Sequence, residues 1–392
     1  MTRPASRRQL GVAAAGLGLL ALSGCSSVLT DNAKTASTDG SIAVASSATE
    51  CQVGATEAPS GNVVFKVQNT GDKVTEFYLL GADGLRIVGE VENIGPGISR
   101  DLVVQAAPGS YFTACKPGMV GDGIRAAFTV TDSGADLTPT GPLADQLTAA
   151  TAAYAAYVRD QTEQLVTGTG EFAAAVKAGD DDKARTLYPQ ARMHFERIEP
   201  VAESFGDLDP KLDLREADLE EDQEWTGWHA LEKDLWPPAS GYTALTKAER
   251  AALADQLVAD TDELNAKVRT LEFTPDQLGN GAKGLLDEVA TGKVTGEEEA
   301  WSHTDLWDFQ ANVDGARVAF EELEPVVEQK DPALATTLAA EFAEVQALLD
   351  QYKSGDGWKL YTELTPAQVK ELSAAVDSLG EPLSKLTAVV VL

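Results

Sequence analysis

The chain has 392 residues, with 31 Lys plus Arg against 62 Asp plus Glu and a formal net charge of −31. That length allows two or three ordinary domains, and the acidic field repels nucleic-acid phosphates, excludes a polybasic membrane binder and concentrates cations. Three cysteines are too few for a disulfide-rich mini-domain or a four-cysteine zinc module.

Residues 1–24 read as an export signal. Arg3, Arg7 and Arg8 precede an apolar run from Leu10 to Leu22 that is too short for a permanent membrane span. Leu22-Ser23-Gly24-Cys25 looks like a bacterial lipobox, in which Cys25 becomes the lipidated first residue, tethered to the outer face of the membrane. Ser6-Arg7-Arg8-Gln9-Leu10 also resembles a twin-arginine signal, so both export routes stay open. Residues 25–41 are rich in Ser, Thr and Ala, a tether that need not fold.

Residues 42–132 have β texture. Val63, Phe65 and Val67 alternate, and strands are predicted at Glu76–Leu79, Leu85–Val91, Asp101–Val104, Tyr111–Ala114 and Ala126–Val130. Turn signals such as Asn69-Thr70-Gly71-Asp72 and Gly95-Pro96-Gly97 separate them, which predicts a small β-sandwich. Residues 133–142, with Gly134, Pro139, Gly141 and Pro142, read as a linker.

Residues 143–392 turn to helix, roughly seven to nine of them. Leu147, Ala150, Tyr154, Tyr157, Val158 and Leu165 lie on one helical stripe. Thr246-Lys247-Ala248-Glu249 is a capping box, Thr274-Pro275 and Thr365-Pro366 put proline at a first helical position, and Asp331-Pro332 opens a further helix. Pro237-Pro238 stops the helix that begins near Gly227.

The chemistry concentrates between Ala191 and Trp236. His229 and Glu232 are three apart, so on a helix they project from one face and can grip one ion. His194, Glu196, Glu199 and Asp213 are the further candidate ligands in that stretch. Neutral imidazole with carboxylate oxygens suits iron, manganese or zinc. His303, four after Glu299 and two before Asp305, either completes this site, forms another, or makes an ion pair at a helix start.

An internal repeat sharpens the choice. Ala191-Arg192-Met193-His194-Phe195-Glu196-Arg197-Ile198-Glu199-Pro200-Val201-Ala202-Glu203 is echoed by Ala316-Arg317-Val318-Ala319-Phe320-Glu321-Glu322-Leu323-Glu324-Pro325-Val326-Val327-Glu328. More weakly, Gly227-Trp228-His229 is echoed by Gly357-Trp358-Lys359. The helical part therefore reads as two duplicated helical bundles. Arg192 with Glu196 and Arg317 with Glu321 are expected as helix-surface ion pairs. The second copy has Ala319 for His194, Lys359 for His229 and Thr362 for Glu232, so it cannot build the same site.

The HxxE pair in Gly227-Trp228-His229-Ala230-Leu231-Glu232, the Arg-x-x-Phe-Glu-Arg-Ile-Glu-Pro run and Ser302-His303-Thr304-Asp305-Leu306 make the helical part similar to imelysin-like proteins. With a β domain in front, residues 42–392 resemble EfeO-type iron-uptake lipoproteins. The resemblance implies a multidomain chain: an all-β cupredoxin-like sandwich followed by an all-α imelysin-like metal-binding domain. It implies a non-enzymatic protein that captures iron, as Fe²⁺ or Fe³⁺ with zinc as a surrogate, and passes it to a membrane iron permease beside a haem peroxidase. His229 and Glu232 match the family's HxxE pair, and Glu196, Glu199 and Asp213 match its neighbouring acids. The β domain has no histidine, so a His₂Cys blue-copper site cannot form. Cys51, Cys115 and Glu76 match an EfeO-type arrangement that holds copper or iron, while an oxidising compartment favours a Cys51–Cys115 disulfide instead. Two further readings stand beside this one, a zinc-dependent hydrolase and an adhesive surface lipoprotein. The hydrolase lacks the second histidine, four residues after the first, that helical zinc peptidases use.

Overall fold

A computed structural model describes residues 40–84, 87–119, 121, 123–134, 141–219 and 223–392. The expected export signal, the lipidated Cys25, the tether before Gly40, Leu85 and linker residues 135–140 lie outside the described residues. No helix among the described residues is long and apolar enough to cross a membrane.

The N-terminal part is built of strands β1 (Ile42–Ser46), β2 (Cys51–Val53), β3 (Glu57–Pro59), β4 (Gly61–Asn69), β5 (Thr75–Leu80), β6 (Ile87–Ile94), β7 (Ser99–Ala106), β8 (Gly109–Cys115) and β9 (Ile124–Thr131). They form a four-stranded sheet in the order β2-β1-β4-β7 and a five-stranded sheet in the order β3-β9-β8-β5-β6. The alternation in β4 buries Val63, Phe65 and Val67. Phe65 meets Phe77 and Phe128 of the other sheet, with centroids 5.1 and 5.4 Å apart. The strands β1 to β3 were not individually legible, because they are short and pair β1 with β4, and β3 with β9, in parallel.

Cys51 and Cys115 are joined by a disulfide that staples β2 to β8 across the two sheets. Of the two readings left open above, the thiolate metal site is therefore corrected. Both sulfurs are consumed by their own bond, so no cysteine pair remains for copper or iron. Glu76 could not have joined them: Phe77 pairs directly with Cys115, so the neighbouring Glu76 points to the opposite face. There its carboxylate accepts a hydrogen bond from the Tyr78 hydroxyl at 2.7 Å.

The helical part contains α1 (Pro142–Ala178), α2 (Asp181–Glu196), α3 (Leu208–Asp213), α4 (Gly227–Leu235), α5 (Lys247–Val268), α6 (Pro275–Thr291), α7 (Asp305–Lys330), α8 (Pro332–Leu349), α9 (Pro366–Leu383) and α10 (Leu386–Val391). Helix α1 packs on α2 and α5, α6 packs on α7 and α9, and α2 meets α7 between these groups. Gly315 permits that meeting, since a Cβ there would stand 2.3 Å from the Arg197 carbonyl oxygen. The sandwich docks on α6: Asp276 accepts from the Gln105 amide at 2.9 Å, and Asn280 donates to the Val103 carbonyl at 2.8 Å.

The first copy of the repeat runs from the end of α2 into the turns after it and the second lies within α7, with two corrections. Arg317 and Glu321 are a partly exposed pair 3.8 Å apart, but Arg192 and Glu196 are wholly buried, 2.5 Å apart. The weaker echo fails in shape. Gly357-Trp358 is half of a small hairpin, β10 (Lys353–Ser354) with β11 (Gly357–Trp358), and not the first turn of a helix.

Replacing both Cys51 and Cys115 with serine removes a link between positions 64 residues apart. The unfolding free energy of the sandwich in a denaturant titration is expected to fall by about 2–5 kcal/mol. An unchanged midpoint would show that the staple carries no stability.

Candidate metal centre

Helix α4 places the imidazole. Its first residue, Gly227, has φ +84°, and a Cβ there would lie 2.2 Å from the Leu212 carbonyl oxygen. Only glycine lets the start of α4 sit this close to the end of α3, which carries Asp213. One turn on, His229 and Glu232 are buried on the same face. The turn leading to α7 brings in Glu298 and Glu299, and α7 itself adds Asp305, Asp308 and Asn312.

The single imidazole faces carboxylates on both sides. Its Nε2 lies 3.4 Å from Asp213 Oδ1 and 3.6 Å from Glu298 Oε1, without an aligned hydrogen bond. Its Nδ1 lies 3.2 Å from Glu232 Oε2. The other Glu232 oxygen accepts the backbone amides of Trp301 and Ser302 at 3.0 and 2.7 Å. Glu299 accepts from the Tyr188 and Ser302 hydroxyls at 3.2 and 2.7 Å. Two groupings thus have metal-ligand spacing, Asp213–His229–Glu298 and His229–Glu232–Glu299.

Three permanent cations reach this acid shell, one of them Arg215, whose guanidinium lies 3.5 Å from Glu298. Arg192, wholly buried, contacts Glu196, Asp213, Glu298, Glu299 and Asp308. Lys293 lies 2.8 Å from Glu196 and 2.7 Å from Glu199. Asn312 donates to the same two glutamates at 2.9 and 2.6 Å.

Burial opposes every charge here, and neighbours decide the outcome. Burial and Arg192 push the His229 pKa down, but Asp213, Glu232 and Glu298 outweigh them and hold it well above the usual imidazole value. Burial raises Glu298, yet Lys293, His229 and Arg192 bring it well below the usual carboxylate range. Burial and the nearby Glu232 push Glu299 up to about 8. The surrounding acids thus favour the protonated form of the His229 ring.

The structure brings together His229, Glu232 and Asp213. Glu196 and Glu199 face Lys293 and Asn312, Glu196 also bonds Arg192, and neither belongs to a grouping with His229. His194 is elsewhere, bonded through Nδ1 to Gln161 Oε1 at 2.8 Å in an open groove of about 430 Å³ between α1 and α2. Among the described residues no grouping with metal-ligand spacing includes His194 or His303. His303 holds a left-handed conformation, φ +59°, and its carbonyl accepts from Tyr361. Sequence reasoning missed Glu298, Glu299 and Asp308. The run Gly296-Glu297-Glu298-Glu299 was visible as an acidic patch, but nothing in it shows which carboxylates turn inward.

The imelysin family model (peptidase M75) matches residues 150–386. An Efem/EfeO family lipoprotein of Staphylococcus haemolyticus is 48% identical over 61% of this chain and 83% of its own length. The iron uptake system component EfeO of Escherichia coli O157:H7 is 38% identical over 87% of this chain and 88% of its own. The protein of that name from Yersinia pestis has the same identity and coverage. The chain belongs to the imelysin family and, within it, to the Efem/EfeO lipoproteins.

His194 supplies a pH test. Burial, followed by Arg197, lowers its pKa from 6.5 to about 4. Between those values the unfolded chain binds the proton and the folded one does not, so this contribution to stability is lost as pH falls from 6.5 towards 4. His194→Gln is expected to flatten the fall of the thermal midpoint over that window. An identical slope in the variant would show that other groups govern it.

Proposed function

We propose that the protein is the extracytoplasmic, lipid-anchored metal-binding component of an Efe-type iron-uptake system. It captures iron at His229 and passes it to a membrane iron permease, alongside a haem peroxidase partner. The reading rests on one observation: a fully buried imidazole nitrogen, His229 Nε2, without an aligned hydrogen bond and facing Asp213 and Glu298. Ligands about 2.1 Å from one ion lie roughly 3.0–3.4 Å apart in octahedral or tetrahedral geometry. Separations of 3.4 and 3.6 Å therefore accept an ion after movements of a few tenths of an ångström.

The ligand set follows from which ring nitrogen each carboxylate faces: Asp213 and Glu298 face Nε2, Glu232 faces Nδ1. Both Glu232 oxygens are engaged, one by two amides and the other by His229 Nδ1. Glu232 thus orients the ring and fixes its tautomer, as the carboxylate behind a metal-bound histidine does. His229 Nε2, Asp213 and Glu298 are the direct ligands. Hard oxygens with one borderline nitrogen suit ferrous or ferric iron, with zinc or manganese as surrogates. Binding and release need no bond-making chemistry, so the role is non-enzymatic. The position where a helical zinc peptidase has its second histidine is Lys233, whose ammonium packs over the rings of Trp225, Tyr242 and Trp301.

Calorimetry of the mature protein with anaerobic Fe²⁺ tests this. His229→Ala is expected to abolish tight binding, whereas Lys359→Ala, outside the centre, keeps it. Equal losses in the two variants would sink the assignment. Glu298→Gln removes a ligand and Glu232→Gln only an orienting group, so the second should weaken binding by roughly 10- to 100-fold and the first by more. A larger loss from Glu232→Gln would make Glu232 the ligand.

A further inference from the structure

The proposed ion site uses only part of the acid shell. Beside it, the Arg192 guanidinium fills a space walled by Glu196, Asp213, Glu298, Glu299 and Asp308, and it shares Asp213 and Glu298 with His229 Nε2. The fit is uneven. Its terminal nitrogens make hydrogen bonds to Asp213, to Glu196 at 2.5 Å and to Glu298 at 2.9 Å. Its Nε lies within ion-pair distance of Glu299 and Asp308, 2.6 and 3.4 Å, yet makes no aligned hydrogen bond. Asp308 is 1% exposed, and neither of its oxygens has a hydrogen-bond partner. An unbonded, fully buried carboxylate aimed at a cation marks a space better suited to a spherical ion than to a planar fork.

Carboxylate-bridged ion pairs inside helical bundles put two cations about 3.5–4 Å apart, with shared acids between them. This centre has the same plan, with two shared acids, but one of its cations is a side chain. We propose that Arg192 is a resident counter-cation occupying the second seat of a two-cation chamber, which limits the protein to one exchangeable ion. The proposal rests on the reading of His229 as a cation site. A guanidinium cannot be deprotonated or washed out, so it offsets part of the charge of the acids it touches when the protein is empty. Its fixed charge also repels the cargo ion across the shared carboxylates, which favours release over permanent storage.

The test uses the mature protein and Mn²⁺ alone, a hard ion that does not oxidise in air at neutral pH. Wild type is expected to take up one Mn²⁺ by calorimetry, with the electron paramagnetic resonance spectrum of an isolated ion. Arg192→Gln should be strongly destabilised without metal, regain its fold and thermal midpoint on adding Mn²⁺, and bind two ions with an exchange-coupled spectrum. Arg192→Lys retains a charge and should hold one ion. Arg250→Gln, which strips an arginine from Asp181 and Asp234 away from the centre, is the control and should not be rescued. If Arg192→Gln takes only one ion, or stays unfolded at saturating Mn²⁺, the resident-cation proposal falls. Two ions in Arg192→Lys, or equal rescue of Arg250→Gln, would overturn it as well. If wild type binds no Mn²⁺, the cation site itself is wrong; if wild type binds one and Arg192→Gln gains none, only the proposal about Arg192 fails.

Discussion

Charge compensation without water governs the helical part of this protein. A carboxylate taken out of solvent must be protonated, paired or bound to a cation, because isolated burial is prohibitively unfavourable. Here α2, α3, α4, α7 and the turn before α7 all deliver acids to one largely buried space. Arg192 and Lys293 compensate part of that charge, and a protonated His229 a further part. Glu299 and Asp308 stay partly unreconciled, and burial pushes both pKa values upward. Such a shell gains little stability from its own ion pairs.

The packing serves that arrangement at two close approaches. Gly227 brings α4 onto the end of α3, which sets the distance from His229 to Asp213. Gly315 brings α7 against the end of α2, so that Asn312 and Asp308 reach the acids around Arg192. The aromatic rings of Phe172, Tyr188 and Trp228 pack within 6 Å of one another beneath α4. They exclude water from one side of the centre, and the low local dielectric strengthens each charge–charge contact.

The sandwich is held by different means. Its disulfide joins the two sheets, its aromatic core fills the space between them, and hydrogen bonds between its backbone and the α6 side chains Asp276 and Asn280 fix it on the helical part. Glu76 and Tyr78 lie on the sheet face away from the cystine, where Lys116 sits over the Tyr78 ring.

The sequence alone determined the order of β and helical parts, because a period of two and a period of 3.6 are local properties. It likewise determined the helix starts at Thr246, Pro275, Pro332 and Pro366, since capping chemistry is read within four residues. The meeting of His229 and Glu232 on one buried helix face was legible in their HxxE spacing alone, since the echo of that stretch at Gly357 is a hairpin. Tertiary structure decided the rest. Arg192 and Arg317 occupy equivalent sequence contexts, yet one is buried among five carboxylates and the other faces solvent. Whether a charged side chain forms a surface pair or the hub of a cluster depends on what packs over it. Those covering residues, Glu298, Glu299 and Asp308, lie more than a hundred positions further along the chain, beyond the reach of any local pattern.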